Sequence, residues 1–249
     1  MSPRLASRTA LITGSTSGIG EAIAVAFAAE GARVIVSGRD SARGANVVAT
    51  IREAGGIADF VAADLSAGLP AVTALAEEVL RLTGGTLDVL VNNAGIFPPT
   101  TTLTTDEATY DAVFAVNVKA TFFLTAALVP SMIARGRGAI VNISSTVATH
   151  GSPGVLYGAT KAAVTLMTKG WATDFGPQGV RVNAVSPGLT HTGGTSPRAD
   201  TLDAMSASTP ARRVGRPDEI AAAAVFLASD EASFVHGAIL SVDGGRSAL

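Results

Sequence analysis

The chain has 249 residues, 47% of them hydrophobic and 15% charged, with eighteen Lys+Arg against twenty Asp+Glu for a formal charge of −2. That length suits one large α/β unit built around a continuous sheet. The near-neutral charge, without a long basic block, lacks the counterion-release footprint of a nucleic-acid binder. Cysteine is absent, which excludes disulfides, thiol catalysis and Cys-based zinc sites, and His150, His191 and His236 lack the spacing of a metal cluster, so no metal is expected. The N-terminal MSPRLASRTALIT has no apolar stretch of signal-peptide length, and no apolar run approaches the ~18–20 residues that span a bilayer. The expectation is a cytoplasmic protein with neither nucleic acid nor membrane as partner. No low-complexity tract or charge run marks a linker, so residues 1–249 read as one domain.

In chain order, β-branched apolar runs at 9–13, 33–37, 57–62, 87–92, 139–144, 180–185 and 238–242 predict seven strands. Between them, 18–30, 42–54, 71–82, 106–135, 156–175 and 217–228 carry apolar residues at three and four spacings and predict helices. Strands such as ALIT, VIV, VLV and AIV are apolar on both sides of the pleat, as expected when helices cover both faces of a parallel sheet. The pattern predicts a doubly wound α/β fold, whose ligands bind beyond the carboxyl ends of the strands.

The first predicted strand runs into Gly14-Ser15-Thr16-Ser17-Gly18-Ile19-Gly20 and then a helix. Gly14 permits a tight turn, Gly18 lets the backbone approach a pyrophosphate, and Gly20 allows close helix–strand packing, while N–H groups and the helix dipole face the anion. Ser15, Thr16 and Ser17 are expected to add hydroxyl donors. The second strand ends in Gly38-Arg39-Asp40, about twenty residues on, where a dinucleotide fold places an acidic residue on the adenosine ribose. A guanidinium there pairs with a 2′-phosphate, so NADP(H) is preferred and NAD(H) remains possible, since Asp40 either caps the next helix or turns toward the ribose. Asp64 and Leu65 end the third strand, Asp64 either accepting from the adenine amino group or capping a helix. Asn93, Ala94 and Gly95 end the fourth and let the backbone pack against the adenosine half.

Tyr157 and Lys161 are four apart on a predicted helix and share one face. A positive charge within ~4–6 Å favours phenolate, drawing a phenol toward the range of a general acid/base. Upstream, Ser144 and Ser145 end the fifth strand, each a hydroxyl able to hold a substrate oxygen or to cap a turn. Taken alone, Asn117 reads as a helix-interior Asn bonding locally.

Together TGSTSGIG, NNAG, the serine before YGATK, and NAVSPG resemble the short-chain dehydrogenase/reductases, with the likeness running from Thr9 to Gly245. The resemblance implies a Rossmann-like sheet in the order 3-2-1-4-5-6-7 and a catalytic tetrad at Asn117, Ser145, Tyr157 and Lys161. It implies that Tyr157 exchanges the proton with a carbonyl oxygen held by Ser145. Lys161 would bind the nicotinamide ribose and depress the Tyr157 pKa, and Asn117 would hold a water that resupplies the proton. Pro187, Gly188, Thr190 and Thr192 match the stretch that contacts the nicotinamide carboxamide.

Ser145 stands twelve positions before Tyr157, whereas family members usually have thirteen, which would select Ser144. The gapless alignment of 138–145 with the family's strand-five motif favours Ser145 and places the missing residue in the loop 151–156. The expected function is hydride transfer between the nicotinamide cofactor and a ketone or aldehyde, or the corresponding secondary alcohol. The alternative is a catalytically silent dinucleotide-binding sensor or scaffold. The substrate pocket is expected between 96–102, 146–156 and a lid at 189–210, with Phe97, Pro98, Pro99, Val155, Leu156 and Met205 making it apolar. The resemblance also implies a homotetramer built through helices 106–135 and 156–175 and the last strand.

Overall fold

Seven short apolar strands pair in parallel, each neighbour supplying the hydrogen bonds that a buried backbone requires. The computed structural model describes residues 3–151, 154–195 and 199–248. The first half runs β1 (Thr9–Thr13), α1 (Gly18–Ala29), β2 (Arg33–Gly38), α2 (Ser41–Glu53), β3 (Ile57–Ala62), α3 (Leu69–Leu82) and β4 (Val89–Asn92). The second runs α4 (Glu107–Phe114), α5 (Thr121–Ile133), β5 (Gly138–Ile143), α6 (Val155–Phe175), β6 (Val180–Pro187), α7 (Ala199–Ser206), α8 (Pro217–Ala228) and β7 (Ile239–Val242). The sheet order is 3-2-1-4-5-6-7, as expected.

The two-residue period of the strands sorts their side chains onto two cores. Ala10 and Ile12 of β1, with Val34 and Val36 of β2, face Ile23 and Phe27 of α1, Ile51 of α2 and Val225 of α8. Leu11 and Ile35 face the opposite way, toward Leu75 and Val79 of α3, Leu124 and Leu128 of α5 and Trp171 of α6.

The helix expected over 106–135 differs in two respects. Asp106 caps it, accepting from Thr109 N–H at 2.7 Å, and the turn Ala115–Ala120 between α4 and α5 widens to π-helical geometry. The continuous run Glu107–Ile133 is also long and apolar enough, by length and composition, to cross a membrane, which the sequence reading did not anticipate. Half of its most apolar window is buried within the fold, and α5 packs on α3 as a core helix. The expected lid contains a helix, α7, that was not predicted.

Strand order reverses between β1 and β4, and the crevice at their carboxyl ends is held by close contacts. Thr13 Oγ1 accepts from the N–H groups of Asn93 and Ala94 at 3.0 and 3.1 Å, and Asn93 Nδ2 donates back to the carbonyls of Thr13 and Gly14 at 2.9 and 3.0 Å. Gly14 adopts φ +62°, and a Cβ on it would lie 2.8 Å from the Ala94 Cα. A Cβ on Gly20 would overlap the Gly14 carbonyl oxygen and the Asn93 amide nitrogen. Gly20→Ala is therefore expected to cost about 1–3 kcal/mol by overpacking. Urea unfolding should show a lowered midpoint at unchanged slope.

Candidate active site

The glycine turn puts the α1 N-terminus at the mouth of a cleft of about 340 Å³. Ser17 is the exposed N-cap of α1, and its side chain makes no capping bond. Gly18 has φ +59°, a conformation that a side chain would strain. The cleft is lined by Gly14, Thr16 to Gly20, Gly38, Arg39, Asp64, Leu65, Asn93, Ala94, Gly95 and Thr192, all singled out from the sequence. Bare backbone, unspent helix N–H groups and a basic edge fit a dinucleotide phosphate.

Ser15 corrects an expectation. Its hydroxyl is fully buried, donating to the Ile12 carbonyl at 2.7 Å and accepting from Ser37 N–H at 3.0 Å, while its own N–H bonds the Ser37 carbonyl. Ser15 thus ties β1 to β2 and is spent as a phosphate donor. Pro187, Gly188 and Thr190 also fall outside the cleft lining. Gly188 packs on Asp243, where a Cβ would lie 2.6 Å from the Asp243 Cα, and Thr190 Oγ1 bonds the Gly188 carbonyl at 3.1 Å.

At the β2 end, Asp40 caps α2, accepting from Arg43 N–H at 3.0 Å and from Arg43 Nε at 2.7 Å. These bonds hold its carboxyl below the usual range and commit it to the helix. Arg39 is exposed and makes no hydrogen bond or salt bridge to a described residue. Arg43 lines the same cleft and was missed from the sequence, although its place four residues after Arg39 in the first turn of a capped helix was a usable signal. Asp64 also caps: its Oδ1 accepts from Ser66 N–H at 3.0 Å and from Ser66 Oγ at 2.6 Å, which together with the nearby Arg39 charge lowers its pKa. Ser66 and Val116 also line the cleft and were likewise not anticipated, whereas Ile96 and Gly194 come from the expected walls 96–102 and 189–210.

The inner end of the cleft meets the expected tetrad at Gly95, where a Cβ would lie 3.4 Å from Asn117 Oδ1 and 3.5 Å from Lys161 Nζ. Asn117 sits in the π-helical turn, a geometry common at functional sites. It is not locally bonded: its side chain clamps Ile96, accepting from the N–H at 2.8 Å and donating to the carbonyl at 3.1 Å, and also donates to Thr160 Oγ1 at 3.0 Å.

The two serines separate by strand alternation. Ser144 N–H still pairs with the Val185 carbonyl, and its buried hydroxyl meets Thr165 Oγ1 at 2.6 Å and the Lys161 carbonyl at 3.3 Å on α6. Ser145 Oγ accepts from Val147 N–H at 3.4 Å, capping the turn that follows, and hydrogen-bonds the Tyr157 side chain. Lys161 is buried, donating to the Ile143 carbonyl at 2.7 Å, with Nζ 5.6 Å from the Tyr157 ring centroid.

The phenol pKa departs from expectation. Burial pushes Tyr157 up to about 12, opposed only in part by the hydrogen bond with Ser145. Desolvation brings Lys161 down to about 8.

Of the expected substrate walls, residues 152–153 and 196–198 lie outside the described residues. Val155 and Leu156 line a separate groove with Tyr110 and Phe114, whereas the Phe97 ring packs tilted against Tyr157. Asp203 of α7 meets His191 at 3.3 Å, a contact within the expected lid.

Comparison with known proteins agrees with this arrangement. A family model described as enoyl-(acyl carrier protein) reductase matches residues 14–247. Galactitol 2-dehydrogenase (L-tagatose-forming) of Cereibacter sphaeroides is 41% identical over 97% of this chain and 96% of its own. A solved short chain dehydrogenase/reductase family protein superposes with a TM-score of 0.91 at 47% identity, covering 99% of this chain and 100% of that one. A 3-oxoacyl (acyl-carrier-protein) reductase from Agrobacterium tumefaciens, solved with NADP bound, gives a TM-score of 0.92 at 34% identity, covering 97% and 95%. With the matching sheet order, glycine turn and Tyr157–Lys161 pair, these likenesses establish that the chain belongs to the short-chain dehydrogenase/reductase family of NAD(P)-dependent oxidoreductases.

Proposed function

We propose that the protein transfers a hydride between NADP(H) and a ketone or aldehyde, or the corresponding secondary alcohol, with Tyr157 as general acid/base. The observation that carries this reading is the hydrogen bond of Tyr157 to Ser145 above the buried Lys161, at the inner end of the cleft. NADP(H), when bound, supplies the hydride. Ser145 holds the substrate oxygen and stabilises the charge that develops there. Tyr157 donates its proton to that oxygen, and with Lys161 at about 8 and Tyr157 at about 12, return of a proton from the ammonium to the phenolate runs downhill. Asn117, beside Lys161 across Gly95, holds the water that resupplies it. Lys161 also binds the nicotinamide ribose, and Pro187, Gly188, Thr190 and Thr192 carry the carboxamide stretch. Tyr157→Phe is expected to lower kcat by about 10²–10⁴-fold with NADPH affinity nearly intact, and a near-normal rate would contradict the reading.

The preference for NADP(H) rests on Arg39, an unspent guanidinium beside an Asp40 committed to its own helix, with Arg43 at the same edge. Calorimetry of Arg39→Ala should show NADPH affinity weakened by about 10–100-fold, the loss of a charge-assisted contact, with NADH affinity little changed. Equal losses for both cofactors would remove Arg39 from 2′-phosphate recognition.

The protein acts as a cytoplasmic homotetramer in this reading. Phe122 and Phe123 of α5 and Leu166 of α6 leave apolar surface open on the helices through which the family assembles, and β7 ends the sheet as an edge strand. Sedimentation equilibrium should give about four times the chain's 24.9 kDa, and a monomer would overturn this assembly.

A further inference from the structure

Tyr157 has an aromatic neighbour that the acid/base chemistry does not call for. The Phe97 and Tyr157 rings stand 4.7 Å apart between centroids, tilted by 43°. The edge of the Phe97 ring seats on Gly154, where a Cβ would lie 2.7 Å from Cε2 and 3.1 Å from Cζ. A bare Cα just before α6 is therefore what admits the ring. Backbone on both sides fixes its place. Ile96 is clamped through its N–H and its carbonyl by Asn117, and Pro98 with Pro99 restricts the dihedrals that follow. Phe97 nevertheless remains 44% exposed beside the Tyr157 ring.

We propose that Phe97 is a specificity-determining residue whose ring forms an apolar wall beside Tyr157 and selects uncharged ketones bearing an aromatic or other flat apolar group next to the carbonyl. The proposal rests on the acid/base reading of Tyr157, since it is the carbonyl oxygen at Tyr157 that places the neighbouring group against the Phe97 ring. A flat group meets the ring in offset or edge-to-face contact, and a ring fixed in advance loses little freedom on binding. A sugar hydroxyl or carboxylate in the same place would give up water for an apolar surface without a compensating hydrogen bond. Among the described residues the cations of the site do not serve it: Lys161 is assigned to the nicotinamide ribose and the proton return, and Arg39 and Arg43 belong to the β2 end of the cleft.

The test compares kcat/KM for two β-keto esters that differ only in the group on the ketone, ethyl benzoylacetate and ethyl acetoacetate, with NADPH. The wild-type aryl-to-methyl ratio should be about 10 or more, and Phe97→Ala should lower it by about 10-fold. Phe97→Tyr should hold the ratio within about threefold of wild type, and Phe97→Leu, which keeps apolar bulk without a ring, should lower it even if the Ala variant folds poorly. A wild-type ratio below one, no turnover of either ester, or a ratio unchanged by Phe97→Ala would overturn the proposal. Turnover surviving in Tyr157→Phe would instead contradict the acid/base reading, while the Phe97 ratios would remain readable.

Discussion

An ammonium held out of water without a counter-ion is the constraint around which this site is organised. Lys161 is 4% exposed and hydrogen-bonds the Ile143 carbonyl, and no carboxylate among the described residues stands within ion-pair distance of it. Such burial is tolerable only if the charged form gives way easily, and desolvation brings its pKa from 10.5 to about 8. The same apolar surroundings drive the Tyr157 phenol up to about 12. The ordinary order of the two acidities is thereby reversed, with the ammonium the stronger acid. The folded state also binds the lysine proton more weakly than the unfolded chain, so this group adds stability as pH rises from about 8 toward 10.5. Below that window the fold carries the desolvation of the charge, a cost borne where the proposed chemistry needs a proton donor.

The rest of the architecture delivers groups to that point from separate elements. β5 supplies the carbonyl that receives Lys161 and ends beside the serine that meets Tyr157, while α6 carries the tyrosine and the lysine one turn apart. The reversal of strand order between β1 and β4 opens the crevice, and the contacts of Thr13, Gly14 and Gly20 with Asn93 and Ala94 set how closely its walls approach. Asn117 joins the two halves. Through Ile96 it fixes the loop leaving β4, so one buried amide governs both the Gly95 floor and the direction in which Phe97 departs.

Much of this was legible in the sequence, because it is encoded by local pattern. Strands apolar on both pleat faces, helices with three and four spacing, and a Tyr-xxx-Lys pair predict the sheet, its layers and the pairing of the two side chains. What escaped depends on contacts between distant residues. Whether Ser15 faces solvent or interior follows from its distance to the β2 backbone, and its hydroxyl is spent on Ile12 and Ser37. Arg43 enters the cleft because Asp40 caps α2 and turns that side chain toward the β2 edge. The balance of charge and desolvation at Tyr157 depends on burial that no spacing rule supplies, which is why the phenol moves up and not down. Phe97 on Gly154 is likewise a contact between two loops, and the π-helical turn at Asn117 leaves no mark in composition. Ser144 and Ser145 fall between these cases: alternation separates them once the strand end is known.

Direct titration of Lys161 in the folded protein tests the central claim. The chain has three lysines, Lys119, Lys161 and Lys169, so the side-chain signals of protein labelled with 13C at lysine Cε are assignable by single substitution. Following those shifts against pH, the account predicts that one lysine, lost in Lys161→Met, titrates near 8, well below the ordinary lysine range of about 10.4. A Lys161 signal that titrates with the ordinary lysines would contradict it, since the ammonium would then be neither desolvated nor the stronger acid of the pair.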